Sequence, residues 1–257
     1  MRTRALRAST YGTRLPGLPR EPLTGRLIVI EGADGSGRTT EVGLLRDWLE
    51  IQGHPVVESG LRRSTLVAEQ IDRAKQGHTL GGTTLALFYA VDFADQLENK
   101  ILPALAAGST VLADRYIYTL MARAIVRGAS RAWAEKLYSF ALKPDLVLLL
   151  DAKPDVLLHR SIGKYGSLDY WESGMDLSLS RDRFESFFLY QARLAAEIDW
   201  MVKEYGFYKI DANRSPNAVH ADVRRLVQQI YKDGVDRSRP APAPGPVNGR
   251  ARRAAAA

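Results

Sequence analysis

Residues 30–40 of this chain read Ile30-Glu31-Gly32-Ala33-Asp34-Gly35-Ser36-Gly37-Arg38-Thr39-Thr40. A short apolar run precedes this segment and a helical pattern follows it, which is the setting of a phosphate-binding loop between a strand and a helix. Compared with the pattern G-x-x-x-x-G-K-[ST], the segment matches at Gly32, Gly37 and Thr39. It departs at Arg38, where the pattern has a lysine. The segment therefore predicts a loop for nucleotide phosphates in which one cation has changed.

The residue types of this loop have distinct physical roles. Glycines let successive backbone N–H groups point toward phosphate oxygens, and the N-terminus of the following helix favours anions. The hydroxyl group of Thr39 is the candidate ligand for Mg²⁺. We therefore expect ATP and Mg²⁺ as cofactors, the alternative being a glycine-rich turn that binds nothing. The candidate nucleotide-binding residues are Gly32, Asp34, Gly35, Ser36, Gly37, Arg38, Thr39 and Thr40.

The arginine at position 38 bears on turnover. It keeps the positive charge of a lysine, but its head group is bulkier, planar and forked. Because phosphoryl transfer depends mainly on positioning and electrostatics, a displacement of about 1 Å can cost on the order of 10²-fold in rate. Arg38 therefore favours nucleotide binding more strongly than it favours efficient turnover.

Apolar runs of strand length alternate with helical patterns through the body of the chain. This alternation predicts an α/β fold with a parallel sheet, and together with the glycine-rich loop it predicts a three-layer P-loop NTPase architecture whose five-stranded parallel sheet is flanked by helices. The expected strands are Leu27–Ile30, Pro55–Glu58, Thr110–Asp114, Leu146–Asp151 and Phe207–Asp211. The expected helices follow the loop to about Gln52 and cover approximately Thr83–Ala107 and Pro216–Tyr231.

The net charge of +7 belongs to the two ends of the chain. Residues 1–25 contribute +4 and residues 233–257 contribute +3, so the body over residues 26–232 is neutral. The first segment lacks apolar periodicity and the last is rich in Pro and Ala, which predicts two disordered basic extensions around a single domain. A neutral body makes nucleic acid an unlikely partner.

Composition excludes further classes of site. The chain has no cysteine, which rules out disulfides, cysteine nucleophiles and thiolate metal sites. Its four histidines are not spaced as metal ligands, so surface or core roles are favoured for them. No apolar run is long enough to span a membrane, and we expect a cytoplasmic protein without a membrane partner.

Several motifs occur in an order that is typical of one family. Asp114-Arg115-Tyr116 follows a strand, as in the motif D-R-[YH]. The other matching segments are Leu85–Asp92, Ile101–Gly108, Pro144–Asp151, Asp182–Phe188 and Ile210–Ala212. Together with the loop, these segments make residues 26–231 resemble the thymidylate (dTMP) kinase family. The resemblance implies transfer of the ATP γ-phosphoryl group to a nucleoside monophosphate, dTMP by family default, with Mg²⁺.

The resemblance also implies roles for individual residues. The implied catalytic residues, around the transferring phosphoryl group, are Arg38, Asp114 and Arg115. The implied acceptor-binding residues are Asp34, Tyr89, Phe93 and Arg115, with Tyr89 at the position of a base-stacking phenylalanine. A lid over about residues 160–183 is expected to close over the phosphates, and its candidate cations are Arg160, Lys164, Arg181 and Arg183. Each of these four has the alternative of a solvated surface charge. A homodimer through the long helix is a family expectation.

The departures from the family pattern cluster around the acceptor. Val57 stands where the family has a phosphate-binding arginine, Phe93 where it has a base-reading arginine, and Arg123 where it has the tyrosine of A-Y-Q. Arg62 and Arg63 are candidate substitutes for the first of these arginines.

The lid also carries extra sequence over Leu168–Leu177, which either recognises another substrate or partner or packs as a surface excursion anchored by Trp171. Two alternatives to the kinase therefore stay open. One is a nucleotide-binding protein with little or no turnover, and the other is a P-loop kinase with a different acceptor.

Overall fold

A parallel β-sheet organises the molecule, and its structure is a computed structural model that describes residues 9–12, 23–77, 80–165 and 167–232. The strands are β1 (Arg26–Gly32), β2 (Val56–Gly60), β3 (Thr110–Asp114), β4 (Leu146–Asp151) and β5 (Tyr208–Asp211). They lie in the order β2-β3-β1-β4-β5, and every neighbouring pair is parallel. The five-stranded parallel sheet expected from the sequence is confirmed.

Helices cover both faces of the sheet and complete the three layers. The bounds are α1 (Arg38–Ile51), α2 (Ala68–Gln76), α3 (Gly82–Gln96), α4 (Leu102–Ala106), α5 (Ile117–Val126), α6 (Arg131–Leu137), α7 (Pro154–Tyr165), α8 (Arg183–Tyr205) and α9 (Pro216–Lys232). Among the helices of these described ranges, none has the length and apolar character needed to cross a bilayer.

The central strand β1 shows why the sequence folds into layers. Its side chains alternate, so that Ile28 and Ile30 join the apolar cluster of α1 and α9, while Leu27 and Val29 join the cluster of α3, α4 and α5. A strand that is buried on both faces has to be apolar at nearly every position. The continuous apolar run at this point of the sequence therefore specifies the middle of the sheet.

The long helix predicted over Thr83–Ala107 is continuous but not uniform. A π-helical turn over Leu97–Ile101 separates α3 from α4. Pro103 lies in the first turn of α4 and has no backbone N–H to donate to the preceding turn. We attribute the wider turn to this missing hydrogen bond, since local π geometry is one way in which a helix absorbs such a defect.

The expectation that residues 1–25 are disordered is wrong for two short parts of that segment. Thr10 forms a β-bridge with Leu142, and the Tyr11 hydroxyl group shares a hydrogen bond with that of Tyr118. Leu23 is 2% exposed in the main apolar cluster. The aromatic and apolar side chains find partners that only the folded domain presents. The rest of the predicted N-terminal extension, and the predicted tail over residues 233–257, lie outside the described residues.

The carboxyl ends of β1, β3 and β4 meet at one edge of the sheet. Ile30 of β1 is in register with Asp114 of β3, and Gly32 is in register with Leu150 of β4. The glycine-rich loop leaves β1 and Arg115 follows β3. Ligands of open α/β sheets bind at this edge, so the topology assembles one site from two motifs that are far apart in the sequence.

Candidate active site

The loop between β1 and α1 has the backbone geometry that the sequence predicts. Gly32, Gly35 and Gly37 have φ values of 152°, 83° and 97°, which L side chains rarely adopt. A Cβ atom on Gly35 would lie 2.9 Å from the carbonyl oxygen of Leu157. These positions therefore require glycine, and together they fold the loop around the start of α1.

The hydroxyl groups of this loop are free to meet a ligand. Ser36 Oγ is buried and has no hydrogen-bond partner within the described part of the chain. Thr39 and Thr40 are exposed in the first turn of α1. A helix N-terminus with unpaired hydroxyl groups beside it is suited to bind phosphate oxygens.

Arg38, which replaces the lysine of the pattern, is turned toward the protein. Its Nε donates to Asp114 Oδ1 at 2.8 Å, and its Nη1 donates to the carbonyl oxygens of Gly32 and Ala33. Its Nη2 donates to Asp34 Oδ1 at 3.3 Å. All three guanidinium nitrogens thus bind protein oxygens, and Arg38 fastens the loop to the end of β3.

Asp34 is the centre of the site because three arginines bind its carboxylate. Arg115 Nη2 and Arg38 donate to Oδ1, while Arg123 Nη2 donates to Oδ2 at 3.2 Å. Burial by itself raises the pKa of Asp34, but the three guanidinium groups, with Arg115 contributing most, bring it well below the usual range. The carboxylate therefore stays ionised and holds the three cations together.

Arg115 combines a left-handed backbone conformation with one side-chain nitrogen that lacks a hydrogen-bond partner among the described residues. Its φ is 69°, a left-handed value that is uncommon for a residue with a side chain. Its Nε is buried without a hydrogen-bond partner in the described ranges. Burial and the neighbouring Arg38 lower the pKa of Arg115. The negative charge of Asp34, which Arg115 shares with two other arginines, offsets these effects only in part.

A buried carboxyl group, Glu31, holds the backbone after Arg115. It is fully buried and accepts hydrogen bonds from the backbone N–H of Tyr116 at 2.9 Å and from Thr119 Oγ1 at 2.5 Å. Burial raises the pKa of Glu31. These contacts tie the start of α5 to the end of β1 and so support the position of Arg115.

Two cavities open on either side of the arginine cluster. A groove of about 1350 Å³ runs from the glycine-rich loop toward β5 and the start of α9, and its wall includes Asp34, Arg115, Lys153, Asn213 and Arg214. A pocket of about 30 Å³, lined by Tyr89, Leu120, Tyr138, Trp171 and Glu172, lies on the other side. Arg123 and Tyr190 line both cavities.

The two aromatic residues expected at the acceptor occupy different environments. Tyr89 is 5% exposed and lines the small pocket. Phe93 packs in an aromatic cluster, with its ring centroid 5.0 Å from that of Tyr116, 6.1 Å from that of Tyr138 and 5.7 Å from that of Phe140. Phe93 is not part of the pocket wall in the described chain, because its apolar ring is more stable among other rings in the core.

The four lid cations are dispersed. Arg160 on α7 donates to the carbonyl oxygens of Gly35 at 3.4 Å and of Ala212 at 3.1 Å, so it reaches the glycine-rich loop. Arg183 donates to the carbonyl oxygen of Leu168, and Arg181 is exposed. The side chain of Lys164 lies outside the described part of the structure. Of the three whose side chains are described, Arg160 is thus the one that the fold brings to the loop.

The extra lid sequence packs as a wall of the small pocket. Trp171 is 7% exposed and its Nε1 donates to the carbonyl oxygen of Lys75 at 3.0 Å. Arg127 binds Asp176 through two nitrogens, at 2.8 and 3.2 Å, and donates to Tyr190 Oη at 2.7 Å. Trp171 does anchor the segment, and the wall that it forms belongs to a cavity.

A lid carboxyl group, Glu172, faces this pocket between two buried neighbours in the sequence. Burial first, and then the negative charge of Asp34, raise the pKa of Glu172 to about 7. Lys75 lines the same pocket, and burial followed by repulsion from Arg123 lowers the pKa of Lys75 to about 8. Perturbed ionisable groups in one cavity are typical of functional sites.

Reasoning from the sequence missed Arg123 and Arg127 as residues of this site. Arg123 lies on α5 and Arg127 is the residue that follows its last turn, four positions on, so the two lie on the same side of the helix. Two cations at this spacing on an otherwise apolar helix, which directly follows the Asp114-Arg115 motif, were the available signal.

The sequence of the chain is similar to one group of known proteins. Residues 30–223 match the family model described as thymidylate kinase. A probable thymidylate kinase 2 of Saccharolobus solfataricus is 35% identical over 214 residues, which cover 83% of this chain and 100% of that protein. The thymidylate kinase of Ruegeria pomeroyi is 35% identical over 215 residues, and that of Jannaschia sp. is 32% identical over 212 residues. Both of these alignments cover 79% of this chain and 95% of the relative.

Proposed function

The chain belongs to the thymidylate kinase family, and we propose that it transfers the γ-phosphoryl group of ATP to dTMP, giving ADP and dTDP. An oxygen atom of the dTMP phosphate bonds to the γ-phosphorus, while the bond between that phosphorus and the β–γ bridging oxygen breaks. Positioning and charge stabilisation supply most of the catalysis in such a transfer. The protein therefore needs cations and backbone donors rather than a nucleophile of its own.

The observation that carries this proposal is the buried arginine cluster between two cavities. The groove is lined by Gly32, Ala33 and Asp34 of the glycine-rich loop and is large enough for a nucleoside triphosphate. The pocket has aromatic walls of the kind that stack on a nucleobase, and at about 30 Å³ it would have to widen to admit one. Asp34 and Arg115 line the groove at the end that adjoins the pocket through Arg123. Donor and acceptor phosphates would meet at this cluster.

On the donor side, the backbone N–H groups of residues 32–37 and the N-terminus of α1 bind the ATP phosphates in this proposal. Ser36 Oγ, buried without a partner among the described residues, adds a hydroxyl donor. Arg160 is a lid cation that contacts the carbonyl oxygen of Gly35 in the loop. It supplies positive charge when the lid closes.

Mg²⁺ accompanies ATP in the proposed reaction, and the loop fits its chemistry. The hydroxyl group of Thr39 is exposed at the start of α1 and can serve as one oxygen ligand. Phosphate oxygens and water complete the coordination that Mg²⁺ prefers. No group of three His, Cys, Asp or Glu side chains forms a separate metal site within the described ranges.

On the acceptor side, Tyr89 stacks on the base, and Arg115 binds the transferring phosphoryl group. Asp34 keeps the arginines in place and Asp114 holds Arg38. The packing of Phe93 in the core leaves base recognition to the other residues of the pocket.

The direct test is to incubate the protein with Mg·ATP and each nucleoside monophosphate, and to follow the diphosphate by chromatography. We expect dTDP from dTMP, and a loss of at least 10²-fold in kcat in Arg115→Ala, because a cation at the transferring group is removed. Arg38→Lys runs alongside and tests whether the changed cation limits turnover.

The remaining outcomes separate the alternatives. Diphosphate from another monophosphate would keep the kinase and replace dTMP as acceptor. Nucleotide binding without any product, unrescued by Arg38→Lys, would contradict the kinase. A non-catalytic nucleotide-binding protein or a kinase of a different acceptor would then be the better description.

A further inference from the structure

Arg123 occupies the point at which the groove and the pocket meet. It projects from α5, its side chain is 18% exposed, and it lines both cavities. Its Nη2 donates to Asp34 Oδ2 at 3.2 Å. Within the described residues this is the one hydrogen bond of its guanidinium group, so Nε and Nη1 keep donors for a ligand.

The other positions at which the sequence suggests an arginine for the acceptor phosphate do not contribute a cation to either cavity. Val57, at the position of the family's arginine, packs against the main apolar cluster. Arg62 pairs with Asp72 at 2.5 Å and is 44% exposed, while Arg63 pairs with Glu58 at 3.3 Å. Neither arginine belongs to the wall of the groove or of the pocket in the described chain.

The unused N–H donors of the arginines where the groove and the pocket meet favour the binding of an anion. Arg38 donates from all three of its nitrogens to protein oxygens, so its hydrogen bonds are satisfied. Arg115 has a buried Nε without a partner in the described ranges, and Arg123 has two unused nitrogens. Both arginines share the single carboxylate of Asp34. A phosphate group provides the oxygens and the negative charge that this pair lacks.

We propose that Arg123 binds the phosphate of the acceptor nucleotide together with Arg115. From α5, Arg123 would thus take the place of the arginine that the family has at the position of Val57 in β2. The inference rests on the proposed kinase function and names the residue that recognises the acceptor phosphate. Asp34 orients both guanidinium groups, leaving their remaining N–H groups for the phosphate oxygens.

This role also bears on the transfer itself. The acceptor oxygen attacks a γ-phosphoryl group that is itself negatively charged, and the bond to ADP breaks as the new bond forms. A guanidinium group at the junction reduces the repulsion between the two phosphates. Arg123 is therefore expected to affect both the KM for the acceptor and kcat, and to leave the KM for ATP nearly unchanged.

The decisive experiment compares the binding of dTMP and of thymidine, which lacks the phosphate, by titration calorimetry. We expect Arg123→Ala to weaken dTMP binding by roughly 10- to 100-fold, the range for losing hydrogen bonds to a charged group. Thymidine binding should change by less than about 2-fold, because the base and sugar contacts remain. Arg193→Ala, an exposed arginine on α8, is the matched control and should change neither.

Two further variants distinguish the loss of the Arg123 charge from a loss of folding. Arg123→Gln keeps an amide donor for Asp34 but removes the charge, and should again weaken only dTMP binding. Arg123→Lys restores a charge without the fork, and should recover part of the affinity. The binding of thymidine serves in each case as the check that the pocket is folded.

The outcomes distinguish this inference from the function on which it rests. Equal loss of thymidine and dTMP binding in the Arg123 variants would overturn the inference, since it would show a structural role. Unchanged dTMP binding would overturn it as well. If the wild type prefers another monophosphate, that nucleotide and its nucleoside take the place of dTMP. A wild type that binds no monophosphate would overturn the kinase proposal itself.

Discussion

At the scale of single residues, the changed cation of the phosphate loop has become a structural link. Arg38 is 8% exposed and joins the loop backbone to Asp34 and Asp114. A lysine has a single nitrogen and cannot reach all of these oxygens together. The substitution therefore changes what holds the loop, in addition to what faces the nucleotide.

Removal of this link should reduce stability strongly. We expect Arg38→Ala to lower the free energy of unfolding by about 3 kcal/mol, because the largely buried Asp114 loses its cation and Asp34 keeps only Arg115 and Arg123. Arg46→Ala, which breaks exposed pairs of a side chain that is 41% exposed, should lower the free energy of unfolding far less, because water screens such pairs. Urea denaturation measures both variants. Equal losses would contradict a special role of Arg38.

Glycine substitutions test the geometry of the loop. We expect Gly35→Ala to destabilise the protein by about 1–3 kcal/mol, since φ is 83° and the new Cβ would lie 2.9 Å from a carbonyl oxygen. It should also weaken ATP binding. Gly43→Ala within α1 meets no atom within 4 Å and should stabilise by up to about 1 kcal/mol. Thermal unfolding with and without Mg·ATP gives both quantities.

At the scale of elements, the extra lid sequence places a carboxyl group inside a pocket. Trp171 and Ser173, on either side of Glu172, are buried at 7% and 0% exposure. Gly174 has a φ of 64° and faces the ring of Tyr190, where a Cβ atom would lie 2.8 Å from Tyr190 Cβ. The lid segment is thus built as part of the domain, with Glu172 fixed by its neighbours.

This placement predicts a pH-dependent effect on stability. The unfolded chain releases the Glu172 proton near its ordinary pKa of 4.5, whereas the folded chain releases it near 7. The folded state therefore becomes less favourable as the pH rises through this window, and the full cost persists above it. We expect Glu172→Gln to raise the free energy of unfolding by on the order of 1–2 kcal/mol at pH 8, and by much less at pH 5.

The measurement is a pair of urea titrations of the wild type and the variant at the two pH values. Glu69→Gln on α2, where the carboxyl group is 67% exposed, provides the matched control and should show no such difference. A Glu172→Gln effect of equal size at both pH values would contradict the raised pKa.

At the scale of the whole molecule, the groove and the pocket meet at the Asp34 carboxylate and the arginines that bind it. The groove proposed for the donor and the pocket proposed for the acceptor share Arg123 of α5, a helix that starts shortly after β3. The outer surface offers a second feature, because Leu87 and Val91 of α3 are 46% and 48% exposed and lie one turn apart. We propose that this face supports the homodimer expected of the family.

The dimer prediction has a simple test. Leu87→Glu places a charge in the proposed interface, so we expect a protein that elutes as a dimer in size-exclusion chromatography with light scattering to become a monomer. Leu66→Glu, at an apolar residue that is 62% exposed outside this face, is the control and should leave the mass unchanged. A monomeric wild type would contradict the proposal.

The sequence by itself determined the sheet, the phosphate loop and the family. Apolar runs such as that of β1 have to be buried on both faces, and the glycines of the loop have few alternatives at positive φ. The family motifs also predicted one site for Asp34 and Arg115, whose side chains form an ion pair in the structure. These features depend on local pattern, which a linear sequence contains in full.

Tertiary structure alone decided how the charged and aromatic side chains are shared between core and site. It turned Arg38 toward the loop carbonyls, packed Phe93 among other rings, and brought Arg123 to Asp34. It also gave Tyr11, in a segment predicted to be disordered, a partner in Tyr118. The physical reason is the same in each case: a hydrogen bond or ring contact depends on which distant residue packs nearby, and that is a property of the folded chain.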